Sequence, residues 1–144
     1  MRQLPELQVA ADGGDLFDIR ARRLGQGAFR LAVTEAYGRA CAVTREHSLP
    51  VLDAAHIRPY SSTADNDVRN GLALRADLHR LFDRGYVTVD ADHRFVVGAR
   101  LREEFDNGKT YYALHGRRLW VPEQVAQRPD PKALAWHREA VFTG

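Results

Sequence analysis

The alternation of apolar and polar positions changes period several times along the chain, and each change predicts an element. Residues 1–19 hold no period and carry Pro5 and the turn signal "DGGD", which reads as a loose acidic arm or linker ending near residue 21. "AFRLAVTEAYGRA" spaces Phe29, Val33 and the Ala36–Tyr37 pair at helical intervals. "CAVT" reads as a short strand, "REHSLP" as a turn and "VLDAAHI" as a second strand, so the two strands are expected to form a hairpin. "RPYSSTADNDVRN" has the Ser, Asp, Asn and Pro content of a loop. In "GLALRADLHRLFDRG", Leu74, Leu78, Leu81 and Phe82 make one helical face, with Gly85 as a stop.

The C-terminal third predicts two more hairpins and a closing helix. "YVTVDADHRFVVG" turns at "DADH", and "TYYALHGRRLWVP" turns at "HG". Asp130 and Pro131 have the form of an N-cap and first helical position, ahead of "KALAWHREAVF". The expected fold class is α+β. The expected organisation is an N-terminal arm at 1–21 and one domain at 22–144.

Composition narrows the functional classes. Apolar residues at 44% and charged residues at 28% fit a globular chain. No run of about 18 apolar residues occurs, so no membrane span is expected. The N-terminus lacks the basic flank and apolar stretch of a secretory signal. Cys41 is the only cysteine, which excludes an internal disulfide and a paired-cysteine zinc clip, and suits a reducing cytoplasm. No G-x-S-x-G pattern supports a serine hydrolase. The net charge of +2 is uneven: residues 1–19 hold one Arg against four acids, and residues 20–60 hold seven Arg against three. Of the 21 basic residues 19 are Arg, whose planar fork suits phosphate, although composition alone favours a coding bias. Arg20, Arg22, Arg23 and Arg30 form a candidate phosphate-contacting edge, with Arg58 beside the loop.

Three polar residues stand out by position. His56 ends the strand "VLDAAHI", Asn70 closes the loop, and His79 lies on the helix with Asp83 four residues on. Four residues turn an α-helix by about 400° and raise it by about 6 Å, so His79 and Asp83 share a face. An imidazole and a carboxylate on one face can hold a divalent cation.

"CAVTREHSLPVLDAAHI" followed by Asn70 in "RNGLALRADLHRLFDRG" resembles the HNH endonuclease family. "RLGQGAFRLAVTEAYGRACAVT" is similar to the leading helix of the branch found in prokaryotic restriction enzymes. The resemblance is strong over about residues 22–90. It implies a ββα-metal core at about 40–85, one divalent ion (Mg²⁺, Mn²⁺, Ni²⁺ or Zn²⁺) and hydrolysis of DNA phosphodiester bonds. It also implies site roles: His56 as general base, a task suited to an imidazole near neutral pH, Asn70 as the residue that holds the His56 loop, and His79 as metal ligand with Asp83.

One position departs from the family pattern. Many members carry Asp or His directly before the base, where this chain has Ala55. Asp53 stands about 6.6 Å further back on a regular strand. It is a candidate ligand if a bulge brings it in, or a partner of Arg45 or Arg58. A single site of this kind cuts one strand, so double-strand cleavage would need a homodimer or two binding events. Target reading would fall to a separate domain or subunit. The alternative function is a non-catalytic HNH scaffold that grips nucleic acid within a larger assembly.

Overall fold

A computed structural model describes residues 14–144. The elements run α1 (Gly14–Ala36), β1 (Leu52–His56), α2 (Tyr60–Thr63), β2 (Gly71–Arg75), α3 (Ala76–Asp83), β3 (Val87–Val89), β4 (Phe95–Val97), α4 (Arg100–Phe105), α5 (Lys109–Tyr112) and α6 (Pro131–Ala140). This is the expected α+β class, with helices packed around two small antiparallel sheets. Helix α1 starts at Gly14, so its first two turns lie inside the stretch read as an arm. Residues 1–13 of that arm fall outside the described residues.

The expected first hairpin is wrong in its partner. β1 pairs with β2, in an unbroken register from Leu52↔Arg75 to His56↔Gly71. "CAVT" forms turns instead. Its Cys41, Ala42 and Val43 are buried, so the apolar signal was real. Only Ala42 bonds like a strand residue, donating to Ala73 O at 2.8 Å and accepting from Trp120 N at 2.9 Å. Left-handed backbone at Arg39 and Arg45 (φ 59° and 62°) bends the flanks and stops a ladder from extending.

The expected helix from Gly71 likewise splits in two. Leu72 and Leu74 alternate along β2 and are buried there, whereas Leu78 and Phe82 carry the helical spacing of α3. Helix α3 ends before Gly85, whose φ of 80° closes the turn. Together β1, β2 and α3 make a ββα unit.

Helix α1 lies across β1 and β2, and its Phe29 and Val33 enter the core with Tyr37, the residue just past its end. Gly71 permits this approach, since a Cβ there would stand 2.4 Å from Val33 Cγ2 and 2.9 Å from the Phe29 ring. Arg30 also ties α1 to the sheet by donating to Leu52 O at 2.9 Å.

β3 and β4 form the hairpin expected around "DADH". The hairpin expected at 110–122 does not form. Lys109–Tyr112 is a short helix, and the stretch after it meets the β3–β4 hairpin through the isolated bridge Arg94↔Arg118 and a bond from Gly116 N to Phe95 O at 2.7 Å. Its tyrosines serve as hydrogen-bond anchors: Tyr111 donates to Asp77 Oδ2 at 2.9 Å and Tyr112 to Gly98 O at 2.8 Å. Helix α4 occupies a stretch where the sequence pattern predicts nothing. Helix α6 begins as expected, with the Asp130 side chain accepting from Lys132 N at 2.9 Å and Pro131 in its first turn.

Candidate active site

β1 ends at His56, and α3 runs from the end of its partner strand. This brings His56 and His79 to one cleft of about 360 Å³, lined also by Ala54, Tyr60, Asp83 and His137. The cleft contains both histidines singled out by the sequence.

His56 is held on its face and on its edge. Its ring stacks on Phe29 of α1 with centroids 3.9 Å apart and planes 6° apart. Tyr60 lies tilted beside it at 5.9 Å. Its Nε2 is 2.9 Å from Oδ1 of Asn66, a loop residue that sequence reasoning missed. The cluster Asp65, Asn66, Asp67 signals turns but gives no sign of which side chain reaches the strand.

Asn70 is buried to 2% exposure. Its Oδ1 accepts from Arg58 N at 2.9 Å, while its Nδ2 donates to Arg58 O at 3.0 Å and Asp65 O at 3.1 Å. Its own carbonyl accepts from Ile57 N at 2.8 Å. All of these bonds go to backbone, so Asn70 grips the loop at both ends instead of facing the cleft.

His79 sits between two carboxylates. Asp53 Oδ2 is 2.9 Å from its Nδ1, and Asp83 Oδ2 is 3.1 Å from its Nε2. The Asp83 hydrogen bond, with help from Asp53 and against partial burial, raises the His79 pKa above its ordinary value. Asp53 makes this reach from a regular strand, so the bulge expected for it is absent. Its partner is His79 and not Arg45 or Arg58. Arg45 instead donates to Tyr37 O and lies over Trp120, with its guanidinium carbon 4.1 Å from the ring centroid. Ala55 is fully buried in the core and offers no ligand.

The donor chemistry of Asp53, His79 and Asp83 suits a divalent cation: one imidazole and two carboxylates, with a raised imidazole pKa that marks the spot as favourable to positive charge. The two carboxylates meet different nitrogens of the ring. Among the described residues, no group of three or more His, Cys, Asp or Glu side chains is already drawn together around one point.

His137 completes the cleft but is fully engaged. Its Nδ1 meets Thr88 Oγ1 at 2.7 Å, and its Nε2 meets Phe82 O at 2.8 Å. Because a carbonyl can only accept, Nε2 carries the proton and Nδ1 accepts from Thr88. Burial lowers its pKa, which keeps it neutral.

The arginine candidates divide. Arg20, Arg22 and Arg23 are exposed on α1. Arg22 and Gln26 line a second cleft, of about 600 Å³, together with Tyr60, Ser61 and Ala64. Tyr60 borders both clefts. Arg30 and Arg58 hold the fold through backbone carbonyls, Arg58 by a contact of 3.4 Å to Lys132 O. No helix among the described residues is long and apolar enough to cross a membrane.

The HNH endonuclease family model, HNH_2, matches residues 41–90, the segment that contains the ββα unit. The fold is similar to that of a modification-dependent TagI restriction endonuclease, with 19% identity and a TM-score of 0.53 over 81% of this chain. The chain spans 38% of the length of that structure. No curated protein matches the sequence. The segment that matches the HNH endonuclease family model is the one that arranges His56, Asn70 and His79 on β1, the loop end and α3.

Proposed function

We propose that this domain is a metal-dependent endonuclease that hydrolyses DNA phosphodiester bonds, in a restriction or defence role. The observation that carries the reading is the shared cleft. His56 and His79 line it from a strand end and a helix, and His79 is flanked by Asp53 and Asp83.

His56 acts as the general base, taking the proton of the attacking water on Nδ1, which has no hydrogen-bond partner among the described residues. The new bond forms between water oxygen and phosphorus. The bond to the leaving sugar oxygen breaks, and that oxygen takes a proton from solvent. His79, with Asp53 and Asp83, would hold the divalent ion, which supplies Lewis acidity and neutralises charge on the phosphate. Asn70 keeps the loop closed over the strand end, and so acts as a positioning residue. Phosphates flanking the cut would lie along α1, on Arg20, Arg22 and Arg23, reaching His56 past Tyr60. Target selection, including any preference for modified bases, would reside in a separate domain or subunit, in line with the fraction of the TagI enzyme that this chain spans. Cutting both strands would use a homodimer or two visits.

The test is nicking of supercoiled plasmid, plain and base-modified, with Mg²⁺, Mn²⁺, Ni²⁺ or Zn²⁺ against EDTA. Metal-dependent nicking is expected. The second reading, a non-catalytic nucleic-acid-binding module, draws on the buried Ala55 in a ligand position. DNA binding without nicking under every metal would decide for it.

A further inference from the structure

We infer that Asn66 is the positioning residue for His56, fixing which ring nitrogen keeps the proton, and that Gly25 of α1 is the notch that seats it. The inference deepens the reading of His56 as base and rests on it for its functional meaning.

A neutral imidazole has two tautomers, and only one of them presents a lone pair at a given nitrogen. A base in a fixed cleft therefore needs its other nitrogen tied to an acceptor. Asn66 Oδ1 lies 2.9 Å from Nε2. An amide oxygen cannot donate, so this contact places the proton on Nε2 and leaves the lone pair on Nδ1. Nδ1 has no hydrogen-bond partner among the described residues. Phe29 fixes the ring plane by stacking, so the ring cannot turn to exchange the two nitrogens without losing that contact.

The loop is built to keep Asn66 in place. Asp65 Oδ1 accepts from Asp67 N at 2.9 Å, and Asp67 Oδ1 from Arg69 N at 2.8 Å, two successive side-chain turns around it. Asn70 holds the carbonyl of Asp65, the residue before Asn66, and both backbone groups of Arg58, two residues after His56. One buried amide thus sets the distance between the base and its orienting group.

Helix α1 supplies the other side. A glycine inside a helix destabilises it relative to alanine. At Gly25 the backbone is not left-handed, so conformation gives no reason for it. Space does: a Cβ at this position would stand 2.9 Å from Asn66 Nδ2. Phe29 lies four residues on, so the notch and the stacking ring share one face of α1. Gly27 provides an internal contrast, because a Cβ there meets nothing within 4 Å.

The experiment uses the full chain, ¹⁵N-labelled, in EDTA and above the titration range of imidazole. Long-range ¹H–¹⁵N spectra report the tautomer of each histidine, with His56 identified by its loss in His56→Ala. Wild type should show the Nε2–H form of His56. Asn66→Ala and Gly25→Ala should each give a mixture of tautomers. Gly27→Ala should keep the wild-type spectrum, although both glycine changes favour the helix equally by propensity. In nicking assays, Asn66→Ala and Gly25→Ala should lower kcat about 10–100-fold with KM held, the range typical of groups that orient a functional imidazole. An Nδ1–H tautomer in wild type, or an unchanged His56 tautomer in Asn66→Ala, overturns the inference. The expected tautomer change in a protein that nicks no DNA supports the Asn66 clamp and overturns only the catalytic reading.

Discussion

Two ends of the cleft each present a histidine stacked flat on a phenylalanine. At the β1 end His56 lies on Phe29, 3.9 Å away and 6° from parallel. At the α6 end His137 lies on Phe82, 3.6 Å away and also 6° from parallel. Packing does not tell them apart; their hydrogen bonds do. His137 is 1% exposed and both its nitrogens are satisfied, by Thr88 and Phe82 O. It has no capacity left for chemistry, and burial depresses its pKa. His56 lines the cleft and has one nitrogen tied by Asn66, while its Nδ1 has no hydrogen-bond partner among the described residues. A structural histidine spends both nitrogens on the fold, and a candidate base keeps one.

The largest expected contrast is in rate. His56→Ala should lower nicking by about 10²–10⁴-fold, the usual contribution of general base catalysis, with little change in melting temperature. His137→Ala should do the reverse. Unpairing the Thr88 hydroxyl and opening a cavity at Phe82 should cost about 2–4 kcal/mol in urea unfolding, with the rate per folded molecule within a few-fold of wild type. A rate collapse in folded His137→Ala would erase the distinction drawn between the two.

A second contrast concerns the cation. His79→Ala should weaken divalent-ion binding at least about tenfold by calorimetry, because it removes the one nitrogen donor of the set. Unchanged affinity would rule out its ligand role. Asp53→Asn should weaken binding less, since Asp83 remains beside the ring.

The smallest effects are in the pH dependence of stability, measured in EDTA. His79 holds its proton above the ordinary value of 6.5, so its contribution is complete below that pH and is lost as pH rises through its elevated pKa. His137 resists protonation, so the unfolded chain gains a proton that the native one does not. Stability therefore falls as pH drops through 6.5. Replacing His79 should lower stability mainly on the acid side. Replacing His137 should flatten the acid-side loss. Melting curves across this range check both, and parallel curves for the two variants would contradict the assignment.

What the sequence made legible follows from the range of each interaction. Motif order and helical spacing placed His56, Asn70, His79 and Asp83, because those signals are local. The α6 cap at Asp130 and the β3–β4 turn were local too. The β1–β2 pairing was not: "CAVT" and "GLALR" are both apolar, and only the three-dimensional arrangement decides which one pairs with β1. Asp53 reaches His79 across 26 residues, and Asn66 reaches His56 across a loop, without any periodic mark. The stretch that holds the tyrosines at 111 and 112 reads in sequence as a hairpin turning at "HG", yet their hydroxyls act as anchors from a helical turn.

The most direct test of the central claim, that His56 and a divalent ion act together in this cleft, is a Mn²⁺ titration of plasmid nicking by wild type and His56→Ala at matched folded concentration. Wild-type nicking should rise with the metal and saturate. His56→Ala should stay near the EDTA baseline throughout, while calorimetry shows that it still binds the ion. Nicking by His56→Ala at the wild-type rate would contradict the account.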